Sequence, residues 1–362
     1  MRLKSWVHLQ HYTVPTLGWM ALTAVPTLFY QLAVLLRNAA YQSGQIKRIT
    51  APCPVISIGN LTTGGTGKTP VTLAIAKALH TKGLSSIILS RGYGAKTPLA
   101  YGEPEGAHHG DEAYELKLAL AQTKARVIVG QQRAKNALAA CKQYAPDVVL
   151  LDDGLQYCKL AGEPRHDIVL IDGEYGLGNY KQLPMGPLRE SAQAALARAS
   201  VILVTRVNSD AAARLKLEAL GLNVPANRPL AVHACPIVAV NLTHILSDER
   251  QPLQWLQHQP IMAFCGIAQP ERFMISLIAQ QAVLNQQKIV PDHHVLTPED
   301  WHKLMQSRQS LPVITTQKDA VKLQQMAQNN PKMRKTLDDV WVLNIEAQLP
   351  EGVLDPLLGT TH

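Results

Sequence analysis

The chain reads as an α/β protein. Its main body is a parallel sheet covered by helices on both faces, with a membrane-associated helix before it and a second, smaller α/β domain after it. Three observations predict this. A short apolar run at Val55, Ile56 and Ile58 passes through a glycine-rich turn, Thr62 to Thr69, into a helical pattern at Val71, Leu73, Ala74, Ala76, Ala78 and Leu79. Apolar strand-like runs then alternate with helix-like stretches as far as Arg206. Beyond about Asn208 the texture changes, and a second alternating set follows with no glycine loop of its own. The expected division is 1–40 for the helix, 41–207 for the glycine-loop domain and 208–362 for the smaller one.

The N-terminal element comes first. From Ser5 to Leu36 there is no Asp, Glu, Lys or Arg, and Val14 to Leu36 is long enough to cross the hydrocarbon of a bilayer. Pro15 and Pro26, with Thr16, Thr23, Thr27 and Gln31, make it a poor lipid-spanning helix. A helix embedded in the interface fits better, with Trp19, Phe29 and Tyr30 near the headgroups. Arg2, Lys4, Arg37, Lys47 and Arg48 would then lie on anionic lipid. No small-residue cleavage site follows, so a cleaved signal peptide fits badly.

The glycine turn has the chemistry of a phosphate cradle, and with its flanking strand and helix it makes the domain P-loop NTPase-like. Glycines at 64, 65 and 67 remove Cβ atoms, so backbone N–H groups at Thr62, Thr63, Gly64, Gly65, Thr66 and Gly67 can turn onto an anion. Lys68 would reach the terminal phosphates, and the Thr69 hydroxyl would hold Mg²⁺. Thr62 stands where the usual pattern has its first glycine. Pro70 falls in the first helical turn, where its missing N–H costs little.

The next strand, Ser85 to Ser90, ends in a basic glycine turn that carries Arg91 and Tyr93 to the ligand edge of the sheet. Asp111 and Glu112 open a helical stretch, where acids commonly cap, but they also follow a loop on that same edge. A carboxylate there could accept a proton or hold a metal. Strands follow at Arg126 to Val129 and Val148 to Leu151. The second ends in Asp152-Asp153, the expected Mg²⁺-side acids. Asp167 to Gly173 and Val201 to Arg206 complete the set around a Gly/Pro-rich loop, Gly176 to Glu190. In the second domain Asp292-His293-His294 resembles metal-ligand chemistry but lacks further ligands at suitable spacing.

Composition narrows the partners. The formal charge is +8 with only 17% charged residues, so the positive balance reflects few acids rather than dense basic blocks. No basic run, zinc spacing or aromatic RNA-binding motif is present, which argues against nucleic acid. Nothing calls for an obligate protein partner. Five cysteines without a CxxC pair read as reduced thiols of a cytoplasmic protein.

Taken in order, SIGNLTTGGTGKTP, SRGYG, GDE, LDDGLQ, LPMGPLRE, GIAQPERF, PDHH and TQKDAVK resemble the tetraacyldisaccharide 4'-kinase family of lipid A biosynthesis, over nearly the whole chain. The resemblance implies ATP-dependent phosphorylation of the 4'-hydroxyl of an acylated glucosamine disaccharide 1-phosphate. It implies action as a peripheral or monotopic protein at the cytoplasmic face of a Gram-negative inner membrane. Carried onto this sequence, it makes Asp111 the base and His293 the group that orients it. Thr69, Glu112 and Asp153, with Asp152, would surround Mg²⁺, and Arg91, Tyr93, Asn179 and Arg189 would meet the lipid substrate. Tyr157, Tyr180 and Gln317 depart from the family pattern.

Two other readings are weighed. A membrane-associated regulatory ATPase of the partition type would carry a lysine just before the paired glycines, where this chain has Thr63. A GTPase would need an N-K-x-D base-reading motif, and Lys318 and Asp319 are adjacent instead.

Overall fold

The computed structural model describes residues 16–92, 111–222, 230–247, 249–292, 294, 296–328 and 330–358, without the side chains of 111 and 112. Contacts divide the chain into two units. One comprises Met1–His109, Leu116–Ile237 and Ala347–His362, and the other Gly110–Glu115 and Val238–Glu346.

The first unit begins with α1 (Leu17–Gln42), capped by the Thr16 hydroxyl, which accepts from the Trp19 N–H; the helix runs through Pro26 without a break. Then come β1 (Ile49–Thr50), β2 (Val55–Asn60), α2 (Lys68–Thr81), β3 (Ser86–Ser90), α3 (Asp111–Ala119, of which only Leu116 onward groups with this unit), β4 (Ala125–Val129), α4 (Arg133–Tyr144) and β5 (Val148–Asp152). They are followed by β6 (Leu160–Ala161), β7 (Arg165–Asp172), α5 (Ala192–Leu196), β8 (Val201–Thr205), α6 (Asp210–Ala219) and β9 (Ala231–Cys235). Seven strands form one sheet in the order β4-β3-β5-β2-β7-β8-β9. Every neighbouring pair is parallel. Helices on both faces require continuous apolar strands, and β2, β3, β5 and β8 are buried at every position. The α/β expectation therefore holds, with the glycine-loop strand β2 at the centre.

Separate clusters line the sheet. Ile56, Ile58, Val71, Ile75, Leu79, Leu150 and Leu170 pack together, joined from far along the chain by Val353, Leu354 and Leu357. In that late segment Lys82 reaches Asp355 at 2.8 Å and the Gln348 N–H donates to Pro236 O. Another cluster gathers Val55, Ile87, Leu89, Ala137 and Val149.

The second unit holds β10 (Ile237–His244), β11 (Arg250–Gln251), β12 (Pro260–Cys265), α7 (Pro270–Ala279), β13 (Val283–Ile289), α8 (Pro298–Ser307), β14 (Val313–Thr316), α9 (Gln317–Gln328), α10 (Pro331–Lys335) and β15 (Val340–Ala347). The sheet order is β11-β10-β15-β14-β12-β13. Trp301, fully buried against Phe264, anchors its core, and the indole N–H donates to Thr336 Oγ1 at 2.9 Å. α8 is capped by the Thr297 hydroxyl, which accepts from the Asp300 N–H.

Helix α1 is built inside out for a water-soluble fold. Its buried residues are Trp19, Thr23 and Thr27. Leu22, Val25, Leu28, Phe29, Leu32, Leu35 and Leu36 are all more than half exposed.

Candidate active site

Sheet register decides where the chemistry collects. β2 runs parallel to β5 with Ile58 opposite Asp152. The loop leaving β2 and the two acids closing β5 therefore emerge at one sheet edge, where open α/β sheets bind their ligands. Gly67 precedes α2 with φ +86°, a conformation glycine adopts without steric cost, and a Cβ there would run into Ile237 Cδ1. Among the described residues no side chain caps α2, so its first-turn N–H groups suit an anion.

Lys68, the first residue of α2, points back across the loop. Its Nζ lies 3.4 Å from Asn60 Oδ1 and 3.9 Å from Asp153 Oδ1. Asp153 takes a left-handed backbone, φ +49°, and both its carboxylate oxygens accept from Arg189 Nη1 at 2.8 Å. Arg133 Nη1 donates to the main-chain oxygens of Asp152 (2.8 Å) and Asp153 (3.2 Å), while its guanidinium stacks 4.2 Å over the Tyr157 ring. Burial alone would push the Asp153 carboxyl up. Lys68, Arg189 and Arg133 outweigh burial and hold it below the ordinary carboxylate range.

The paired acids are thus not equivalent. Asp152 is buried and accepts from Thr72 Oγ1 at 3.2 Å, tying α2 to β5. Asp153 faces Lys68. Gly154 follows, where a Cβ would lie 2.8 Å from Ser57 Oγ, so the turn sits tight against β2.

Two buried polar atoms at the loop, Asn60 Nδ2 and Thr66 Oγ1, have no hydrogen-bond partner among the described residues. Buried groups of this kind are usually satisfied, so their presence beside Lys68 fits a polar ligand. Thr69 is half-buried next to them. The oxygens of Thr69, Asp152 and Asp153 are hard donors of the kind Mg²⁺ takes. Among the described residues no group of three or more His, Cys, Asp or Glu forms a self-sufficient cage. One or two carboxylates suffice when Mg²⁺ arrives with phosphates.

The segment Met185–Arg189 lies against the loop. The Arg189 N–H donates to Leu61 O, and the Thr63 N–H donates to Pro187 O, each at 2.8 Å. Thr62 and Leu188 form an antiparallel bridge. Asn179 braces the same segment, donating from Nδ2 to Met185 O at 3.1 Å and accepting at Oδ1 from the Lys181 N–H. On its other side stands α1. Trp19 Nε1 donates to Met185 O (2.9 Å), the Met185 N–H to Thr27 Oγ1 (3.2 Å), and the Tyr30 hydroxyl to Arg189 O (2.7 Å).

The structure thus gathers Thr62 to Thr69, Asp152, Asp153, Asn179 and Arg189 in the first unit. Arg91 is exposed beyond the end of β3, and its charge is felt at Arg133. Tyr93 and His293 lie outside the described residues, as do the side chains of Asp111 and Glu112, whose backbone opens α3. In the second unit Asp292, beside His293, pairs with Lys318 at 2.8 Å. Asp319 accepts from the Gly266 N–H at 2.8 Å. Asp292 and Gly266 therefore both meet the Lys318-Asp319 start of α9.

Sequence reasoning passed over Asn60, Arg133 and the polar face of α1. A polar residue ending a mostly apolar strand marks Asn60. Arg133 carries no such signal, since it opens an ordinary helix.

A sequence model of the family Tetraacyldisaccharide-1-P 4'-kinase matches residues 19–361. The chain belongs to that family. Tetraacyldisaccharide 4'-kinase from Tolumonas auensis is 33% identical over 336 residues, 91% of this chain and 90% of that one. Its counterpart from Idiomarina loihiensis is 31% identical over 360 residues, 98% and 97%. The crystal structure of LpxK from Aquifex aeolicus in complex with ATP matches with a TM-score of 0.69 at 24% identity. That match covers 93% of this chain and 96% of that one, and shows a shared fold.

Against the family pattern, the Tyr157 hydroxyl accepts from the Ala134 N–H at the start of α4 (3.0 Å), and Gln317 Nε2 donates to Asn344 Oδ1 (3.3 Å). Tyr180 holds φ +61°, the left-handed backbone that suits the glycine expected there.

Proposed function

We propose that this tetraacyldisaccharide 4'-kinase family member transfers a phosphoryl group from ATP to the 4'-hydroxyl of an acylated glucosamine disaccharide 1-phosphate. The product would be lipid IVA, made at the cytoplasmic face of the inner membrane. The observation that carries this reading is the meeting of Lys68, Asp153 and the uncapped start of α2 at one sheet edge, in a chain that belongs to this family.

Phosphoryl transfer asks the protein for positioning and charge neutralisation rather than covalent work. The N–H groups of Thr62 to Gly67 and of the first turn of α2 cradle the phosphates. Lys68, held by Asn60 and Asp153, supplies the cation. Thr69, Glu112 and Asp153, with Asp152, would hold Mg²⁺, which when bound would neutralise charge on the phosphates. Asp111 accepts the sugar hydroxyl proton, and His293 orients that carboxylate. Arg91, Tyr93, Asn179 and Arg189 meet the substrate headgroup. Arg189 is already paired with Asp153, so engaging an anionic headgroup would exchange one partner for another.

The exposed apolar face of α1 supports membrane attachment. Patches of this extent are rare on soluble monomers, and a polar face turned inward leaves lipid as the medium that satisfies the other. A monotopic helix suits a substrate whose acyl chains stay in the bilayer.

Purified protein incubated with ATP, Mg²⁺ and the acylated disaccharide 1-phosphate should yield a bis-phosphorylated lipid. Hydrolysis of ATP that ignores the lipid, or a preference for GTP, would sink the proposal.

A further inference from the structure

The Met185–Arg189 segment is sandwiched in a way the reaction alone does not require. On one side two backbone hydrogen bonds, Arg189 N–H to Leu61 O and Thr63 N–H to Pro187 O, fasten it to the first residues of the phosphate loop. On the other, three hydrogen bonds fasten it to α1, from Trp19, Thr27 and Tyr30. These helix positions are spaced eight and three residues apart, so they fall on one face, opposite the exposed leucines. The strongest link lies at Arg189. Its carbonyl takes the Tyr30 hydroxyl at 2.7 Å, its N–H holds Leu61, and its guanidinium grips both oxygens of Asp153. Asp153 in turn stands 3.9 Å from the Lys68 ammonium. One phenolic hydroxyl on the apolar helix is therefore three links from the cation that meets the phosphates.

We propose that Tyr30 is a positioning residue, whose hydroxyl fixes the Arg189 backbone so that the guanidinium stays on Asp153 and the loop strand stays on Leu61 and Thr63. The proposal rests on the kinase reading for its rate consequence, but not for its structural one. Tyr30 is partly buried against Arg189, and burial raises its hydroxyl above the ordinary phenol range, with Arg37 and Arg189 opposing. It therefore remains a proton donor across the working pH range. Phenylalanine in its place keeps the ring and the apolar contacts and removes only the donor.

The test is Tyr30→Phe in the full chain, assayed on phosphatidylethanolamine–phosphatidylglycerol vesicles carrying the acylated disaccharide 1-phosphate. Loss of one neutral hydrogen bond should lower kcat about two- to tenfold, with vesicle binding and KM for ATP unchanged. In an Arg189→Ala background, which keeps the carbonyl that Tyr30 binds but removes the guanidinium, the same change should cost less than in the parent, because the part of its effect carried through Asp153 is already lost. A second measurement needs no substrate: amide exchange at Thr63 and Arg189 should quicken in Tyr30→Phe, while exchange in the body of α2 stays as it was. A parent protein that fails to phosphorylate the lipid would remove the kinase reading, and the exchange experiment would still decide the role of Tyr30. Unchanged exchange at Thr63 and Arg189, additive losses with Arg189→Ala, or a defect confined to vesicle binding would each overturn the proposal.

Discussion

Lys68 and Asp153 show how a charge is kept useful in a crowded site. The lysine is held by Asn60 and Asp153 rather than neutralised by a tight pair, since its distance to the carboxylate is 3.9 Å. Removing a preorganised electrostatic group of this kind costs on the order of 10²-fold or more in rate. Lys68→Ala should therefore lower kcat by at least about 10²-fold while circular dichroism stays unchanged; near-normal turnover would refute its role. Asp153 adds a pH signature. Its folded-state pKa is depressed, so its stabilisation is complete above the ordinary aspartate value of about 3.9 and is lost as pH falls through the lowered one. Urea unfolding of the parent and Asp153→Asn should differ most near neutrality and converge in acid below about pH 3.9. A difference that grows on acidification would contradict this assignment. Much of this pair was legible in the sequence, because a glycine loop ending in Lys-Thr and an acid closing an apolar strand are both local patterns. Arg189 as the partner of Asp153 was not legible: the two are brought together by a loop crossing, which no spacing encodes.

At the scale of elements, α1 separates what hydropathy shows from what it hides. An uncharged apolar stretch was plain from the residues. Which side of it faces the protein was not, because threonines and a tryptophan among leucines give no strong stripe. The fold answers by turning Trp19, Thr27 and Tyr30 toward Met185 and Arg189, with Thr23 buried and donating back to Trp19 O. Leu28→Gln with Leu32→Gln leaves those polar contacts alone and removes two exposed leucines. At roughly 1.5–3 kcal/mol for each buried leucine, vesicle affinity should drop about 10²-fold or more in a flotation assay. Unaltered flotation would show that this face is not the one in lipid. The turn after β5 makes a different prediction. Gly154→Ala would press a methyl group onto Leu151 and Ser57, costing about 1–3 kcal/mol, readable as a lowered urea midpoint. An unshifted midpoint would mean the turn has room to relax.

For the whole molecule, the chief lesson is that contact and sequence order part company. Past the change of texture near Asn208, α6 and β9 still belong to the first unit, and β9 at Ala231–Cys235 pairs with β8 as the seventh strand of the first sheet. Val353, Leu354 and Leu357 lie in the same core as the phosphate-loop strand. A linear cut cannot express a unit assembled from separated stretches, and three buried apolar residues in a short late segment give no sign of their partners. Removing everything after Glu346 would strip those three side chains from the core. At about 1.5–3 kcal/mol each, the loss rivals the 5–15 kcal/mol that holds a typical domain. Such a truncation should lose cooperative unfolding; a retained sharp transition would show that the segment is dispensable.

The late return of Val353 to Leu357 also bears on how the protein is made. A ribosome delivers the phosphate-loop strands first, then the entire second unit, and only then the residues that close the first core. Through that interval the emerging polypeptide holds an unfinished hydrophobic face and a greasy leading helix at once. An early landing of that helix on a bilayer would hold the half-built body at the membrane until its closing segment emerges.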